Sequence, residues 1–153
     1  MIEIVRLRED HAELLNIFFE HINTTEYRKD FSPFPFDGKQ ATVLCNYQGQ
    51  DLYYAIIMEN TKIIGFGMLR GWDEGYEIPS IGLCILKTYQ GMGFGKLMLA
   101  FLEIASKVKG SSKVMLKVKK SNDKAKRLYE ANGYTFKEHN SEYLTGYKDI
   151  TVC

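Results

Sequence analysis

The chain has 153 residues, of which 45% are hydrophobic and 25% charged, and its formal net charge is +1. This length predicts a single domain over residues 1–153, and the near-neutral charge argues against a nucleic acid or an anionic membrane as a partner. Three widely spaced cysteines argue against a disulfide framework or a paired-cysteine metal site, so we expect no metal. Charges interrupt the first ten residues and no apolar run is long enough to cross a membrane, which favours a cytoplasmic protein.

The first half of the chain predicts two helices and three strands around a shaped loop. Apolar residues such as Leu14, Ile17 and Phe18 recur at helical spacing. Pro33 and Pro35 stand among three phenylalanines, and because proline fixes φ and lacks an N–H, this stretch predicts a loop and not a central strand. The predicted elements are a strand at residues 2–7, a helix at 8–21, an irregular loop at 23–38, a short helix at 40–47, and a hairpin of strands 52–58 and 62–69.

The second half predicts a β-α-β unit followed by a helix and two strands. Asn122 or Ser121 is suited to cap the second helix, and Gly133 is suited to end it. The connection between the parallel strands is expected to be right-handed. The predicted elements are a strand at 76–86, a helix at 95–107, a strand at 113–119, a helix from 121 or 122 to 131, and strands at 134–138 and 142–152. The mixture indicates an α+β fold.

The stretch Ser80–Leu97 joins an apolar strand to a helix through a glycine-dense turn. A helix N-terminus has N–H groups without partners and a partial positive charge, and glycines let a ligand approach the backbone, so this stretch predicts a phosphate site. A Walker A loop is disfavoured, because Gln90 and Leu97 occupy its glycine and hydroxyl positions. A dinucleotide fingerprint is one residue too short, and residues 113–120 hold no acid for a ribose.

The remaining pattern, Q-x-x-G-x-G, fits Gln90–Gly95, and a second motif follows it. Ser121–Tyr134 combines an asparagine, a helix with Ala and Leu-Tyr, and a Gly-aromatic pair. The two motifs, in this order and spacing, resemble the GCN5-related N-acetyltransferase (GNAT) superfamily over roughly residues 76–134. The resemblance implies a central twisted, mostly antiparallel sheet of about seven strands with flanking helices, in which splayed strands hold acetyl-CoA.

The resemblance implies acetyl-CoA as the donor and assigns its contacts. The backbone of the strand before the loop pairs with pantetheine, the loop amides take the pyrophosphate, Asn122 binds pantetheine and Tyr129 lies near the sulfur. The implied donor-binding residues are Leu83, Cys84, Ile85, Gln90, Gly91, Met92, Gly93, Phe94, Gly95, Lys96, Asn122 and Tyr129. The lysines between residues 113 and 126 are either a solvated face or partners of the 3′-phosphate.

Acetyl transfer to an amine needs a proton donor for the leaving thiolate and a route for the amine proton. Tyr129 is the expected donor, although moving a proton from a phenol of pKa ~10 to a thiolate of pKa ~8.5 is uphill by about 2 kcal/mol. Glu77 is the predicted general base, because it lies early in the strand that leads to the loop, where the resemblance implies a catalytic acid. The alternatives are a water chain, Asp73, Glu74, His11, His21 and His139. Cys84 lacks a nearby histidine, which disfavours a nucleophilic role.

The acceptor site is predicted from an aromatic and acidic cluster. Aromatic rings stack on sugars and acids hold hydroxyl or ammonium groups, so Phe34, Trp72, Asp73 and Glu74 are expected to bind the acceptor; the alternatives are core packing and an exposed turn. We therefore expect an N-acetyltransferase that modifies a primary amine of a small polar molecule such as an amino sugar. Protein or peptide acetylation and a non-catalytic acyl-CoA-binding module are the alternatives. A homodimer is also expected, through a strand edge at Tyr143–Val152.

Overall fold

The computed structural model describes residues 1–151, which form five α-helices and seven strands. The strands are β1 (Ile2–Arg6), β2 (Leu52–Met58), β3 (Lys62–Arg70), β4 (Ser80–Ile85), β5 (Lys113–Lys119), β6 (Thr135–Glu138) and β7 (Tyr143–Asp149). The helices are α1 (Ala12–Ile22), α2 (Thr25–Arg28), α3 (Gly38–Cys45), α4 (Phe94–Val108) and α5 (Asp123–Ala131).

All seven strands belong to one sheet, in the order β1-β2-β3-β4-β5-β7-β6. Every neighbouring pair is antiparallel except β4 and β5, which are parallel and joined through α4. The prediction of a mixed α+β fold with a mostly antiparallel seven-stranded sheet is therefore confirmed.

Helices cover the two faces of the sheet with separate hydrophobic cores. On one face, α1 buries Leu15, Phe18 and Phe19 at helical spacing against β2 and β3. On the other face, α4 buries Met98 and Leu102 among side chains of β5 and α5. Along β1 to β4, the alternation of side chains assigns successive residues to the two opposite cores.

The parallel strands β4 and β5 diverge, and this divergence creates a cleft. Their ladder contains the pair Ser80–Met115, with an additional bond from the N–H of Met115 to the carbonyl of Pro79 at 3.0 Å. Beyond this pair the strands separate, so the backbone of β4 from Ile81 to Ile85 is paired with β3 on one side and faces open space on the side of β5. Sequence pattern cannot reveal such a split, because each strand has an ordinary apolar composition.

Three predicted element boundaries are corrected. β4 begins at Ser80 and not at residue 76, because Pro79 lacks the N–H that a central strand would use. The stretch predicted as irregular contains the short helix α2. β7 ends at Asp149, whereas the predicted strand ran to residue 152, which lies outside the described residues.

The predicted dimer edge is wrong in its premise. β7 pairs with β5 on one side and with β6 on the other, so it is an interior strand without a free edge. The homodimer itself stays a prediction, and gel filtration tests it.

Within residues 1–151, no helix is long and apolar enough to span a bilayer, and no group of three or more His, Cys, Asp or Glu side chains is arranged to hold a metal.

Candidate active site

A cleft of about 550 Å³ lies between the diverging strands β4 and β5. Helix α2 and Phe31 border one side of it, and the glycine turn, the start of α4 and helix α5 border the other. Most predicted donor-binding residues line this cleft: Leu83, Cys84, Ile85, Gln90, Gly91, Gly93, Gly95, Lys96, Asn122 and Tyr129. Met92 is instead an exposed side chain and Phe94 is packed into the core, so these two could contribute only through their backbone.

The glycine turn has a backbone that only glycine adopts without strain. Gly91 has φ +79° and Gly93 has φ +95°, and Gly93 is the N-cap of α4. A Cβ built on either residue would meet no atom within 4 Å, so the space above the turn is open. The first N–H groups of α4 have no partners within the helix, which makes this turn suited to an anionic group.

Gln90 braces the turn against two neighbouring elements. Its Nε2 donates to the carbonyl oxygen of Ile85 at 2.9 Å, at the end of β4. Its Oε1 accepts from the ammonium of Lys124, on α5, at 2.9 Å. The glutamine therefore connects both walls of the cleft. A sequence motif places it at the turn but does not reveal this bridging role.

Asn122 has a structural role at the edge of the cleft. It is the N-cap of α5, and its Oδ1 accepts from the backbone N–H of Ala125 at 3.2 Å. Because the cap uses the oxygen, the Nδ2 hydrogens are the part of this side chain left to donate to a ligand.

Tyr129 projects from α5 into the cleft lining and is 8% exposed. Burial raises the pKa of its phenol to about 12, because the charged phenolate would lose its hydration. The hydroxyl consequently stays protonated at any ordinary pH. It has no hydrogen-bonding partner among residues 1–151, so it remains available as a donor.

A second tyrosine, Tyr134, supports Tyr129 from behind. The two ring centroids lie 5.7 Å apart, and the backbone N–H of Tyr134 donates to the carbonyl of Tyr129 at 3.1 Å. The Tyr134 hydroxyl donates to Glu103 on α4 at 2.8 Å, and Lys148 on β7 donates to the same carboxylate at 3.0 Å. Three elements thus hold the Tyr134 ring. Tyr134 belongs to the Gly-aromatic pair of the second motif, but the motif does not reveal this network, because Glu103 and Lys148 are distant in sequence.

Cys84 lies in the β4 wall as a buried thiol. Burial raises the pKa of its thiol to about 12, so the thiolate needed for nucleophilic attack is essentially absent at neutral pH. This agrees with the expectation that Cys84 contributes packing and backbone groups and not a nucleophile.

The opposite wall of the cleft is built by α2, which the sequence analysis missed. Tyr27 accepts from the backbone N–H of Lys87 at 2.7 Å through its hydroxyl oxygen, and Glu26 forms an ion pair with the Lys87 ammonium. These bonds attach α2 to the end of β4. The Lys87 ammonium lowers the pKa of Glu26 by hydrogen bonding and by charge. Asp30 and Phe31 continue this wall.

The residues predicted to bind the acceptor are not brought together at the cleft. Phe34 packs in an aromatic core, with its ring centroid 5.9 Å from that of Phe19. Trp72 belongs to a 3₁₀ turn after β3, where Lys109 lies 4.2 Å from its ring centroid. The buried carboxylate of Asp51 accepts from three N–H groups of this turn. None of Phe34, Trp72, Asp73 and Glu74 lines the cleft, so their acceptor role stays a prediction without support from the geometry.

The predicted base, Glu77, is exposed and precedes β4 by three residues. It does not line the cleft, so its role also stays a prediction. The three histidines lie elsewhere: the Nδ1 of His11 accepts from the backbone N–H of Arg8, His21 contacts the carbonyl of Ile17, and His139 is exposed. The carboxylates that do line the cleft are those of Glu26 and Asp30.

Comparison with known proteins agrees with this geometry. The model of the acetyltransferase (GNAT) family matches residues 13–134. The chain is 35% identical over 116 residues to the [ribosomal protein bS18]-alanine N-acetyltransferase of Haemophilus influenzae, a match that covers 76% of this chain and 74% of that protein.

Solved structures of low sequence identity share the fold. The GNAT domain of S. lividans PAT superimposes with a TM-score of 0.83 at 17% identity, over 97% of this chain and 90% of that one. The ribosomal-protein-S18-alanine N-acetyltransferase from Escherichia coli superimposes with a TM-score of 0.73 at 16% identity, over 100% of this chain and 96% of that one. The PaiA N-acetyltransferase from Thermoplasma acidophilum, solved with coenzyme A, superimposes with a TM-score of 0.77 at 19% identity, over 97% of this chain and 99% of that one. With its family match, its relative and its split parallel strands, the chain belongs to the GNAT family and is an N-acetyltransferase.

Proposed function

We propose that this enzyme transfers the acetyl group of acetyl-CoA directly to the α-amine of a polypeptide. The GNAT family uses acetyl-CoA. The cleft carries the proposal, because it connects the glycine turn and Tyr129 on one side with Asp30 and Phe31 on the other. Donor and acceptor groups could therefore approach each other through the gap between β4 and β5.

The donor side fits acetyl-CoA by its chemistry. The positive-φ turn at Gly91 and Gly93, together with the N-terminus of α4, is suited to the diphosphate. The unpaired backbone of β4 offers N–H and carbonyl groups to the amides of pantetheine, in the way that a peptide adds to a sheet edge. Acetyl-CoA supplies an acyl group on sulfur. Residues of this chain must orient the two substrates, donate a hydrogen bond to the sulfur and accept the proton of the amine.

Transfer forms a C–N bond and breaks a C–S bond, so the acceptor nitrogen loses one proton and the sulfur gains one. The Tyr129 hydroxyl is the proposed donor toward the sulfur. With its pKa at about 12, full proton transfer to a thiolate of pKa ~8.5 is uphill by about 5 kcal/mol. Tyr129 therefore stabilises the developing thiolate mainly by a hydrogen bond, and solvent completes its protonation.

Asp30 is the proposed acceptor of the amine proton, directly or through water. The other carboxylate of this wall, Glu26, forms an ion pair with Lys87 and has a lowered pKa, which makes it a weaker base. Asp30 forms no ion pair within the described part of the chain and lies on the side of the cleft opposite Tyr129. It could also hold the ammonium form of the acceptor before the proton leaves.

A polypeptide acceptor is favoured over a small polar amine by two observations. The H. influenzae relative is named for acetylating an alanine of a ribosomal protein. In addition, the aromatic and acidic side chains expected to enclose a small amine lie away from the cleft. Acetylation of an amino sugar or another small amine stays a prediction that the same experiment tests.

The test is a thiol-release assay with acetyl-CoA and three kinds of acceptor: peptides with a free N-terminal alanine, the same peptides with a blocked N-terminus, and small amines that include an amino sugar. We expect release with the free peptides alone, and mass spectrometry should place the acetyl group on the α-amine. Release with only the amino sugar would contradict the polypeptide proposal. Tight binding of acetyl-CoA without release on any amine would indicate a non-catalytic module.

A further inference from the structure

One half of the sheet has a face that no helix covers within residues 1–151. On β5, Val114, Leu116 and Val118 are buried in the core shared with α4 and α5. The alternating residues Lys117 and Lys119 therefore extend from the opposite face. The core on that opposite face is built from α1, α3, β2, β3 and β4, and it includes no residue of β5, β6 or β7.

Cross-strand register shows which side chains share this face with the lysines. Lys117 is paired with Thr145 and Lys119 with Tyr143 on β7, and Thr145 is in turn paired with Lys137 on β6. Because neighbouring strands are spaced by about 4.8 Å, Lys117 and Lys137 are roughly 10 Å apart, with Thr145 between them. We call these five residues the basic sheet face.

The basic sheet face is continuous with the acceptor side of the cleft. Lys117 and Lys119 line the cleft together with Gly82 and Phe31. Gly82 belongs to the same face as the two lysines, since a Cβ on it would lie 3.4 Å from the ring of Phe31. The face therefore begins where the acceptor amine must approach and extends away from it across β7 and β6.

The charges of this face are not balanced by the described residues. Lys117 and Lys119 form no ion pair with any carboxylate of residues 1–151. Two other cations of the cleft are already engaged, Lys87 with Glu26 and Lys124 with Gln90, whereas Lys29 and Lys96 also line the cleft and form no ion pair within residues 1–151. Glu138 pairs with Lys120 and, as a neighbour of Leu144 in the ladder, belongs to the other face of the sheet.

We propose that the basic sheet face binds an acidic segment of the polypeptide acceptor, immediately after the amine that is acetylated. This inference rests on the proposed function and adds a substrate class to it: polypeptides with aspartate or glutamate close to their N-terminus. Lys117 and Lys119 are the specificity-determining residues, and Lys137 extends the positive charge along the bound segment. The phenol of the partly exposed Tyr143 adds a hydrogen-bonding group to the same face, whereas Thr145 is buried between the lysines.

The test uses two matched peptides that begin with alanine and carry either aspartate and glutamate, or asparagine and glutamine, at the next positions. Exposed ion pairs contribute little each, so we expect kcat/KM about threefold to tenfold higher for the acidic peptide at low salt. The difference should shrink as salt screens the charges. Fluorescence anisotropy with labelled peptides and coenzyme A measures the same preference as binding, which separates this inference from turnover.

Charge reversal identifies the residues. Lys117→Glu combined with Lys119→Glu should reduce the ratio of acidic to amide peptide below one, in binding as in kcat/KM. Lys39→Glu, which reverses one charge at an exposed residue of α3 outside the cleft, is the control and should leave the ratio as in the parent enzyme.

Three results would overturn the inference. Equal binding of both peptides would remove the preference, and a preference unaffected by charge reversal would place it elsewhere. A rise in the KM for acetyl-CoA without a change in the peptide ratio would assign the lysines to the 3′-phosphate. Absence of turnover with an intact, lysine-dependent binding preference would instead contradict the proposed function and leave the acidic-segment site standing.

Discussion

The two sides of the cleft are built in different ways. The donor side comes from nearly continuous chain, from β4 through the glycine turn into α4, and offers mainly backbone groups. The acceptor side is assembled from α2, Phe31 and β5, which are far apart in sequence, and offers side chains. A donor common to a whole family can be bound through backbone geometry, whereas an acceptor particular to one enzyme is distinguished by side chains. The donor side is accordingly visible in sequence and the acceptor side is not.

The largest expected effect tests the donor side at its reacting end. Tyr129→Phe removes the hydroxyl and keeps the ring. We expect kcat to fall by about ten- to a thousandfold, because the leaving sulfur loses the hydrogen bond that stabilises its developing charge. The affinity for acetyl-CoA, measured by titration calorimetry, should change little. Tyr54→Phe is the matched control, because burial raises the pKa of that phenol too and its ring packs on Phe101, outside the cleft. An unchanged kcat in Tyr129→Phe would remove this residue from the reaction.

The pH dependence sharpens the same assignment. An α-amine with pKa of ~8 must lose its proton to react, so kcat/KM should rise about tenfold per unit of pH below that value. Burial holds the pKa of Tyr129 at about 12, and the phenol therefore stays protonated across the measurable range. We expect kcat/KM to reach a plateau that extends to about pH 10, without a decrease at lower pH within that plateau. A descending limb near pH 9 would show that a different group donates the proton.

The glycine turn gives the next largest effect. Gly93→Ala places a side chain on a residue with φ +95°, and the strain of about 1–3 kcal/mol is relieved by moving the turn. We expect the KM for acetyl-CoA to rise by about 10- to 100-fold while the KM for the acceptor stays within about twofold.

Gly75→Ala provides the matched control for this strain. Gly75 has φ +87° and open space around its Cβ position, but it lies in the turn after β3 and not in the cleft. Both variants should lose similar thermal stability, and only Gly93→Ala should lose donor affinity. Equal donor affinity in the two variants would show that the turn does not hold the diphosphate.

The acceptor side can be tested by comparing two carboxylates. Asp30→Asn should lower kcat/KM for a peptide acceptor by about tenfold below pH 8, because the amine loses its proton acceptor and solvent only partly replaces it. Glu77→Gln should stay within about twofold, since Glu77 is exposed outside the cleft. The reverse pattern would restore Glu77 as the base and remove Asp30.

The smallest expected effect concerns the support behind Tyr129. Tyr134→Phe deletes the bond to Glu103 and leaves the ring in place. We expect the free energy of unfolding in urea to fall by about 1–2 kcal/mol, because the partly buried Glu103 loses one of its two hydrogen bonds and retains only the one from Lys148. A positioning role predicts in addition a kcat reduced by about threefold with an unchanged KM for the donor. Lower stability with an unchanged kcat would make the network purely structural.

Much of the donor side could be predicted from sequence, because its signals are local. Glycine at positive φ, a helix N-terminus and an Asn cap each depend on neighbouring residues, and the structure places Gly93 and Asn122 at the caps of α4 and α5. The order of two motifs was sufficient to predict the family and the sheet, and both are confirmed.

The acceptor side could not be predicted, because its contacts are long-range. Phe34 and Phe31 are only three residues apart and both pack against the same core, yet only Phe31 also lines the cleft. Trp72 and Glu74 form a suitable cluster in sequence, but the carboxylate of Asp51 binds their turn at a distance from the cleft. Helix α2 has only four residues, too few for helical periodicity to show.

By itself, the sequence determined that a glycine turn suited to an anionic group joins a strand to a helix, because backbone conformation there depends on a few adjacent residues. The tertiary structure alone decided what faces that turn. The separation of β4 from β5 after Ser80 and Met115 opens the cleft. On one face of β5, β7 and β6 no helix packs within residues 1–151, and Lys117 and Lys119 of that face form no ion pair. Both depend on how distant segments pack, which local sequence pattern does not encode.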